Sequence, residues 1–341
     1  MDWLPALSEW PGPVFTRIVE AMAADIARGR LVRGQRLPTH RALAKALNID
    51  LTTVTRAYGE ARRRGLIDAQ VGRGTFISET TARQNTGVPF VTKIDLSMNI
   101  PPQPVEANLD VRISQGLKGI QDDYGFSAFL NYQPPGGGAH DLSVGVKWLR
   151  RRLPNVQASR VVIFPGNQAI LFSALLTRAS PGDVVLTETL TFPGIKTAAA
   201  ELGLRLVPVP MDREGVLPGE LAKACKLHKP AAVYLTPTQH NPTTATQSAE
   251  RRAAVAEVRR RSETYLIEDD AYGALEPRVP PIAALLPDRT YLAVGLAKCI
   301  APALRVSYLL APSEAAAERM RQSLRATVLM PPPLMVALAT R

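Results

Sequence analysis

The chain has 341 residues, 46% of them apolar and 21% charged, an ordinary balance for a folded protein that is too long for one comfortable core. Its 41 Lys and Arg against 30 Asp and Glu leave a formal net charge of +11, an excess that favours a polyanionic partner. Cys225 and Cys299 lack metal-ligand spacing, which excludes a zinc finger; with no basic-apolar leader and no long apolar run, a cytoplasmic, membrane-free protein without metal is expected.

Residues 14–28 place Val14, Ile18, Met22 and Ile26 at four-residue spacing, which predicts one face of a helix. Gly29 and Gly34 bracket a turn, and Thr39 caps a second helix, HRALAKAL, with Leu43, Ala44 and Leu47 inward. Asp50 caps a third helix, LTTVTRAYGEARRRG, whose apolar side is Val54, Ala57, Tyr58 and Ala61 and whose stop is Gly65. The stretch LIDAQVGRGTFIS then reads as a hairpin with Gly72, Arg73 and Gly74 at its tip.

Two short helices joined by a tight turn and followed by a basic hairpin have the order of a winged helix-turn-helix that binds double-stranded DNA. The third helix is the expected reader in the major groove, with Leu51 at its start. The candidate DNA contacts are Thr39, Arg41, Thr52, Thr53 and Arg56, with Arg73 reaching from the wing to a phosphate or the minor groove.

Residues 1–78 are assigned to this module, the polar stretch 79–93 to a linker, and 94–341 to a second domain. There, apolar β segments (VVIFPG, DVVLTE, RLVPVPM, AAVYLTP, TYLIEDD, TYLAVGL) alternate with helical ones, which predicts a mostly parallel or mixed sheet covered by helices. Ligands in such folds lie beyond the carboxyl ends of the strands. Polar residues do stand at those positions. Gly166, Asn167 and Gln168 open a helix and suit a phosphate; Asn241 follows AAVYLTP; Glu268, Asp269 and Asp270 close a strand, with Tyr272 beyond; Lys298 and Arg305 follow TYLAVGL.

These residues form a coherent set for pyridoxal 5′-phosphate. Lys298 can supply the amine for a Schiff base, Asp269 the carboxylate beside the pyridine nitrogen, and Asn241 and Tyr272 the donors to the ring oxygen. The phosphate would lie on Gly166, Asn167, Gln168 and Arg305.

The first module resembles the winged-helix domain of GntR-type regulators through GRLVRGQRLPTHRALA, TTVTRAY and GLIDAQVGRGTFI. Family members usually carry Ser-Arg where Asp50-Leu51 stands, so one common DNA donor is absent. The second domain resembles fold-type I aminotransferases of classes I and II through YQPPGGGAHDL, FPGNQAILFSALL, PGDVVLTETLTFPG, TPTQHNPT, IEDDAYG and AKCIAPALRVSY. The resemblance implies that Lys298 is the cofactor lysine, Phe192 the ring stacked on the cofactor, and Tyr132 a tyrosine reaching the phosphate of a neighbouring subunit. The joined arrangement resembles the MocR subfamily.

What this implies is a multidomain α/β protein: a winged helix-turn-helix followed by a fold-type I, transferase-like α/β/α domain. The expected function is a transcription regulator, homodimeric at full length, that senses an amine or amino acid effector through an external aldimine. Two alternatives are a working aminotransferase with a DNA-binding head and a regulator that no longer binds the cofactor. Three departures from the family pattern bear on this. Gly295 and Ala297 stand where hydroxyl residues are usual, Leu190 replaces a proline, and only 43 residues follow Lys298, so the small C-terminal domain is expected to be largely missing.

Overall fold

A computed structural model describes residues 3–32, 34–70, 74–78 and 99–341, and the chain divides into two compact units at Met98–Asn99. The expected linker, 79–93, and the wing tip with Arg73 lie outside the described residues.

The first unit is built on α1 (Val14–Ala27), α2 (His40–Leu47) and α3 (Leu51–Arg63), followed by an antiparallel pair, β1 (Ile67–Gln70) and β2 (Gly74–Ile77). Its core is the one the spacing predicts: Ile18, Met22, Leu43, Val54, Ala57 and Ala61 are fully buried. Val14 is the exception. It opens α1 and is 36% exposed, while its neighbour Phe15 packs on the core instead.

Both expected caps form, Thr39 Oγ1 accepting from the Ala42 amide at 3.2 Å and Asp50 Oδ1 from the Thr52 amide at 2.7 Å. Asn48 ends α2 in the left-handed region, φ 50°, which makes the turn into α3 tight. Buried Tyr58 donates from its hydroxyl to Pro38 O at 2.8 Å and pins α3 to the residue before the α2 cap. Trp3 Nε1 donates to Asp25 Oδ2 at 2.9 Å, fastening the N-terminal segment to α1.

The second unit begins with α4 (Leu109–Tyr124) and α5 (Ala139–Leu149). The strands and helices that follow alternate: β3 (Val161–Phe164), α6 (Asn167–Arg178), β4 (Val184–Glu188), α7 (Pro193–Glu201) and β5 (Arg205–Val209). After a two-residue ribbon, β6 (Met211–Asp212) with β7 (Gly215–Val216), come α8 (Pro218–His228), β8 (Ala232–Leu235), α9 (Ala249–Arg261) and β9 (Tyr265–Asp269). The chain closes with β10 (Thr290–Gly295), β11 (Ser307–Leu310), α10 (Glu314–Val328) and α11 (Pro333–Thr340).

Seven of these strands form one sheet in the order β3-β11-β10-β9-β8-β4-β5. It is mixed: β11 is antiparallel to both neighbours and the remaining pairs are parallel. The central strands are buried on both faces, and successive residues pack on opposite sides. Val162, Phe164, Tyr234, Ile267, Tyr291 and Ala293 join the core containing α6, α7 and α10, whereas Val161, Ile163, Leu292 and Val294 face the core containing α5 and α11. That alternation decides which strand-end residues can meet. Among the described residues, no helix is long and apolar enough to cross a membrane.

Candidate functional site

The three acids after β9 have three different fates. Glu268 accepts from the amides of Ile282 and Ala283, both at 2.8 Å, and burial pushes its carboxyl up to about 7. Asp270 pairs with buried Arg152, and burial raises it to about 6. Asp269 ends β9 with the strand parity of Ile267, which places it on the α6 side of the sheet. Asn167 Nδ2, at the start of α6, donates to its Oδ1 at 2.6 Å, and Tyr234 Oη, on β8, donates to its Oδ2 at 3.0 Å. Burial raises the Asp269 carboxyl, and these two donors oppose the rise.

Beside it runs the loop between β3 and α6. Gly166 is at φ 102°, and a Cβ there would stand 2.5 Å from Arg305 Nη2, so only glycine lets the guanidinium lie against this turn. Arg305 also donates to Pro165 O at 3.0 Å. The first amides of α6 have no intrahelical acceptor, and a cation lies next to them. Gln168 Nε2 donates to Gly194 O at 2.8 Å. A Cβ on Gly194 would meet the Phe192 ring at 2.2 Å, which places Phe192 and Gln168 side by side.

Lys298 is three residues beyond β10 and half-buried; its Nζ donates to Asn99 O, and burial lowers its pKa. Asn99 Nδ2 donates to Tyr272 Oη at 2.7 Å, so Asn99 joins Lys298 to Tyr272. Burial, and then the charge of Asp269, raise the Tyr272 phenol. Asn241 lies half-buried in the loop after β8, before a cis proline, without a hydrogen bond to a described residue. Tyr132 is 83% exposed and is not gathered with the others within this chain.

Gly295 has a local cause. A Cβ there would stand 2.6 Å from Asn167 Oδ1 and 3.0 Å from Ser307 Oγ. Asn167, held against Asp269, leaves a larger residue no room. Both of those oxygens are buried without a hydrogen-bond partner among the described residues.

Tyr234, Asn99 and Ser307 were not singled out from the sequence, nor was the buried pair beneath Asp269. There Glu188 Oε1 accepts from the Thr236 amide at 3.2 Å, and Glu188 Oε2 lies 3.8 Å from His240 Nε2. Burial pushes Glu188 up to about 8 and lowers His240, so both are neutral near pH 7. A tyrosine inside an otherwise apolar strand was the usable signal, because a buried phenol needs a polar partner.

On the first unit, Thr52, Arg41 and Arg56 are exposed, and Thr53 is half-exposed. Thr52 Oγ1 donates to Asp50 Oδ1 at 2.5 Å, so its proton is engaged within the cap. The Arg56 guanidinium lies over the Phe15 ring, 4.1 Å from its centre, which steadies the side chain without neutralising it. Of the Arg62–Arg64 triplet, Arg63 pairs with Glu60, and Arg64 with Glu20 and Glu60 at 2.8 Å each. Arg41, Arg56 and Arg62 have no ion pair with a described residue.

Comparison with known proteins agrees with this division. Residues 15–77 match the bacterial regulatory proteins of the gntR family. Residues 91–340 match aminotransferase class I and II, and the chain belongs to that family. A GntR helix-turn-helix joined to such a domain is the MocR-type architecture of DNA-binding transcription regulators.

Among its relatives, the HTH-type transcriptional regulator YdeF of Bacillus subtilis is 28% identical over 92% of this chain and 68% of its own length. The HTH-type pyridoxine biosynthesis transcriptional regulator PdxR of Corynebacterium glutamicum is 26% identical over 89% of this chain and 67% of its own. LysN, an alpha-aminoadipate aminotransferase from Thermus thermophilus, shares the fold with a TM-score of 0.66 at 24% identity, over 71% of this chain. The chain spans 62% of the length of that aminotransferase.

Proposed function

We propose that this chain regulates transcription by binding DNA through α3 and the wing, and that its α/β domain holds pyridoxal phosphate and responds to an amine or amino acid. The observation that carries the cofactor reading is Asp269: a buried carboxylate fixed by two side-chain donors at the strand-end edge that also bears Lys298 and Arg305. The side-chain-free turn at Gly166 and the basic Arg305 fit an anionic group, and the orphaned Asn167 Oδ1 leaves a buried acceptor for a donor.

In this reading the amides of Asn167 and Gln168, with Arg305, would hold the phosphate, and Phe192 would pack on the ring. Asp269 would hold the ring N–H, and Tyr272 and Asn241 would serve the ring oxygen. Bound there, pyridoxal phosphate supplies an aldehyde that condenses reversibly with amines. Lys298 is suited to meet it, since burial favours the neutral amine that a nucleophile requires. The Asn99 carbonyl holds that amine and orients it.

In this reading Tyr132, exposed here, would serve a second subunit, and a homodimer would bring two reading helices to paired half-sites. Sensing is favoured over turnover because the chain pairs this site with a DNA-binding head. The test is an absorbance spectrum of the purified chain with pyridoxal phosphate, before and after a panel of amino acids, alongside sedimentation. A visible band that changes with one class of amine, in a dimer, supports the reading. No band at any cofactor concentration removes the sensing role, and steady keto-acid release makes the domain an enzyme.

A further inference from the structure

Tyr234 lies within β8, fully buried, on the face of the sheet that looks toward α6. Its hydroxyl donates to Asp269 Oδ2 at 3.0 Å and accepts from Thr236 Oγ1 at 3.3 Å. Asn167 Nδ2 holds the other oxygen of Asp269 at 2.6 Å and also reaches Ala293 O at 3.3 Å, on the neighbouring strand. Each carboxylate oxygen therefore has its own side-chain donor, one from β8 and one from the head of α6. A carboxylate gripped at both oxygens has a fixed plane, and its remaining lone pairs point in set directions.

Resting on the cofactor reading above, we infer that Tyr234 is a positioning residue: its hydroxyl, opposite Asn167, fixes the plane and the charge of Asp269 toward the cofactor ring. A phenol buried only for packing needs some acceptor, and a backbone carbonyl would suffice, as Pro38 O does for Tyr58. Here the acceptor is instead the one acid turned to the α6 face.

The groups that act on Asp269 are Asn167, Tyr234, the Ala271 amide, Glu188, Asp270 and Tyr272. The first three favour its charged form, whereas burial opposes it. Glu188 would oppose it too if ionised, but its own burial keeps it protonated near neutrality. Losing the Tyr234 hydroxyl removes one of the two side-chain donors that Asp269 has among the described residues, with no cation among these groups to replace it.

Tyr234→Phe keeps the ring and removes the donor. In the full chain with carbon-13-labelled aspartate carboxyls, and Asp269→Asn assigning the resonance, the Asp269 midpoint is expected to rise by about one pH unit or more in the variant. An unchanged midpoint overturns the inference. Pyridoxal phosphate titrations form the second arm: Tyr234→Phe should weaken binding about tenfold in the native background and leave it unchanged in Asp269→Asn. Equal weakening in both backgrounds means that Tyr234 only supports the core, and also overturns the inference. Should the native chain take up no pyridoxal phosphate, the cofactor reading falls, while the carboxyl titration still decides what Tyr234 does to Asp269.

Discussion

The two units solve the same problem, holding a few polar groups in place, by opposite means. In the first, the cap is set by neighbours in sequence: Asp50 and Thr52 make the cap of the helix that displays Thr53 and Arg56, and Phe15, from another helix of the same small unit, steadies Arg56. In the second, groups that touch are far apart in sequence. Asn167 reaches Asp269 across 102 residues, and Lys298 reaches Asn99 across 199. A local motif keeps its shape as long as its helices form, whereas a dispersed site depends on the whole sheet. The units should therefore be separable by mutation.

The largest effect expected is the loss of one function with the other intact. Lys298→Ala should abolish the borohydride-fixed pyridoxal phosphate adduct, read by mass spectrometry, and leave DNA affinity within about twofold. Persistence of a stoichiometric adduct would move the cofactor lysine elsewhere. A collapse of DNA binding in the folded variant would break the separation of the units.

Next in size is the DNA face. The double substitution Arg41→Ala and Arg56→Ala should lower affinity for the upstream region of the chain's own gene about tenfold or more and flatten the dependence on salt, since each lost phosphate contact removes about one released counterion. Because Arg56 rests on Phe15, circular dichroism must show α1 and α3 still formed. An unchanged salt slope would place the reading surface elsewhere. Thr52, its proton turned back to Asp50, is the weaker contributor on this face.

The contrast also explains what could be read ahead of the structure. Three- and four-residue spacing places Ile18, Met22, Leu43, Val54 and Tyr58 inside because a helix repeats within a few residues. It misplaces Val14 because periodicity does not say where the core ends. In the second unit the strand-end positions of Asp269, Lys298 and Asn167 follow from β–α alternation. Which of them touch does not, because that depends on sheet order, and β11 entering antiparallel between β3 and β10 leaves no local mark. Thus Glu268, Asp269 and Asp270 look alike as a run and separate only in the fold, where strand parity turns Asp269 to the α6 side and leaves Glu268 and Asp270 with partners elsewhere. The partners of Tyr234 and Asn99 are hidden for the same reason: they lie on other strands and loops.

The smallest effect expected belongs to the buried layer beneath Asp269, and it tests whether the dispersed site depends on the protonation of the sheet itself. Burial lifts the Glu188 carboxyl to about 8, with the Thr236 amide opposing the rise and Asp269 adding to it. A group whose folded value is raised binds more protons in the folded than in the unfolded state, so stability falls as pH rises from the unfolded value toward the folded one. The sensitive window thus runs from about pH 4.5 to about pH 8. Glutamine at this position still accepts from Thr236 but cannot ionise. Glu188→Gln should flatten the decline, so that the variant exceeds the native chain in stability at pH 8.5 when the two are matched at pH 5.5. Glu268 and Asp270, also raised by burial, keep part of the slope in the variant. Thermal melts across that range decide the matter: parallel curves for the two proteins would mean that Glu188 is ionised in the fold and that His240, 3.8 Å away, shares its charge.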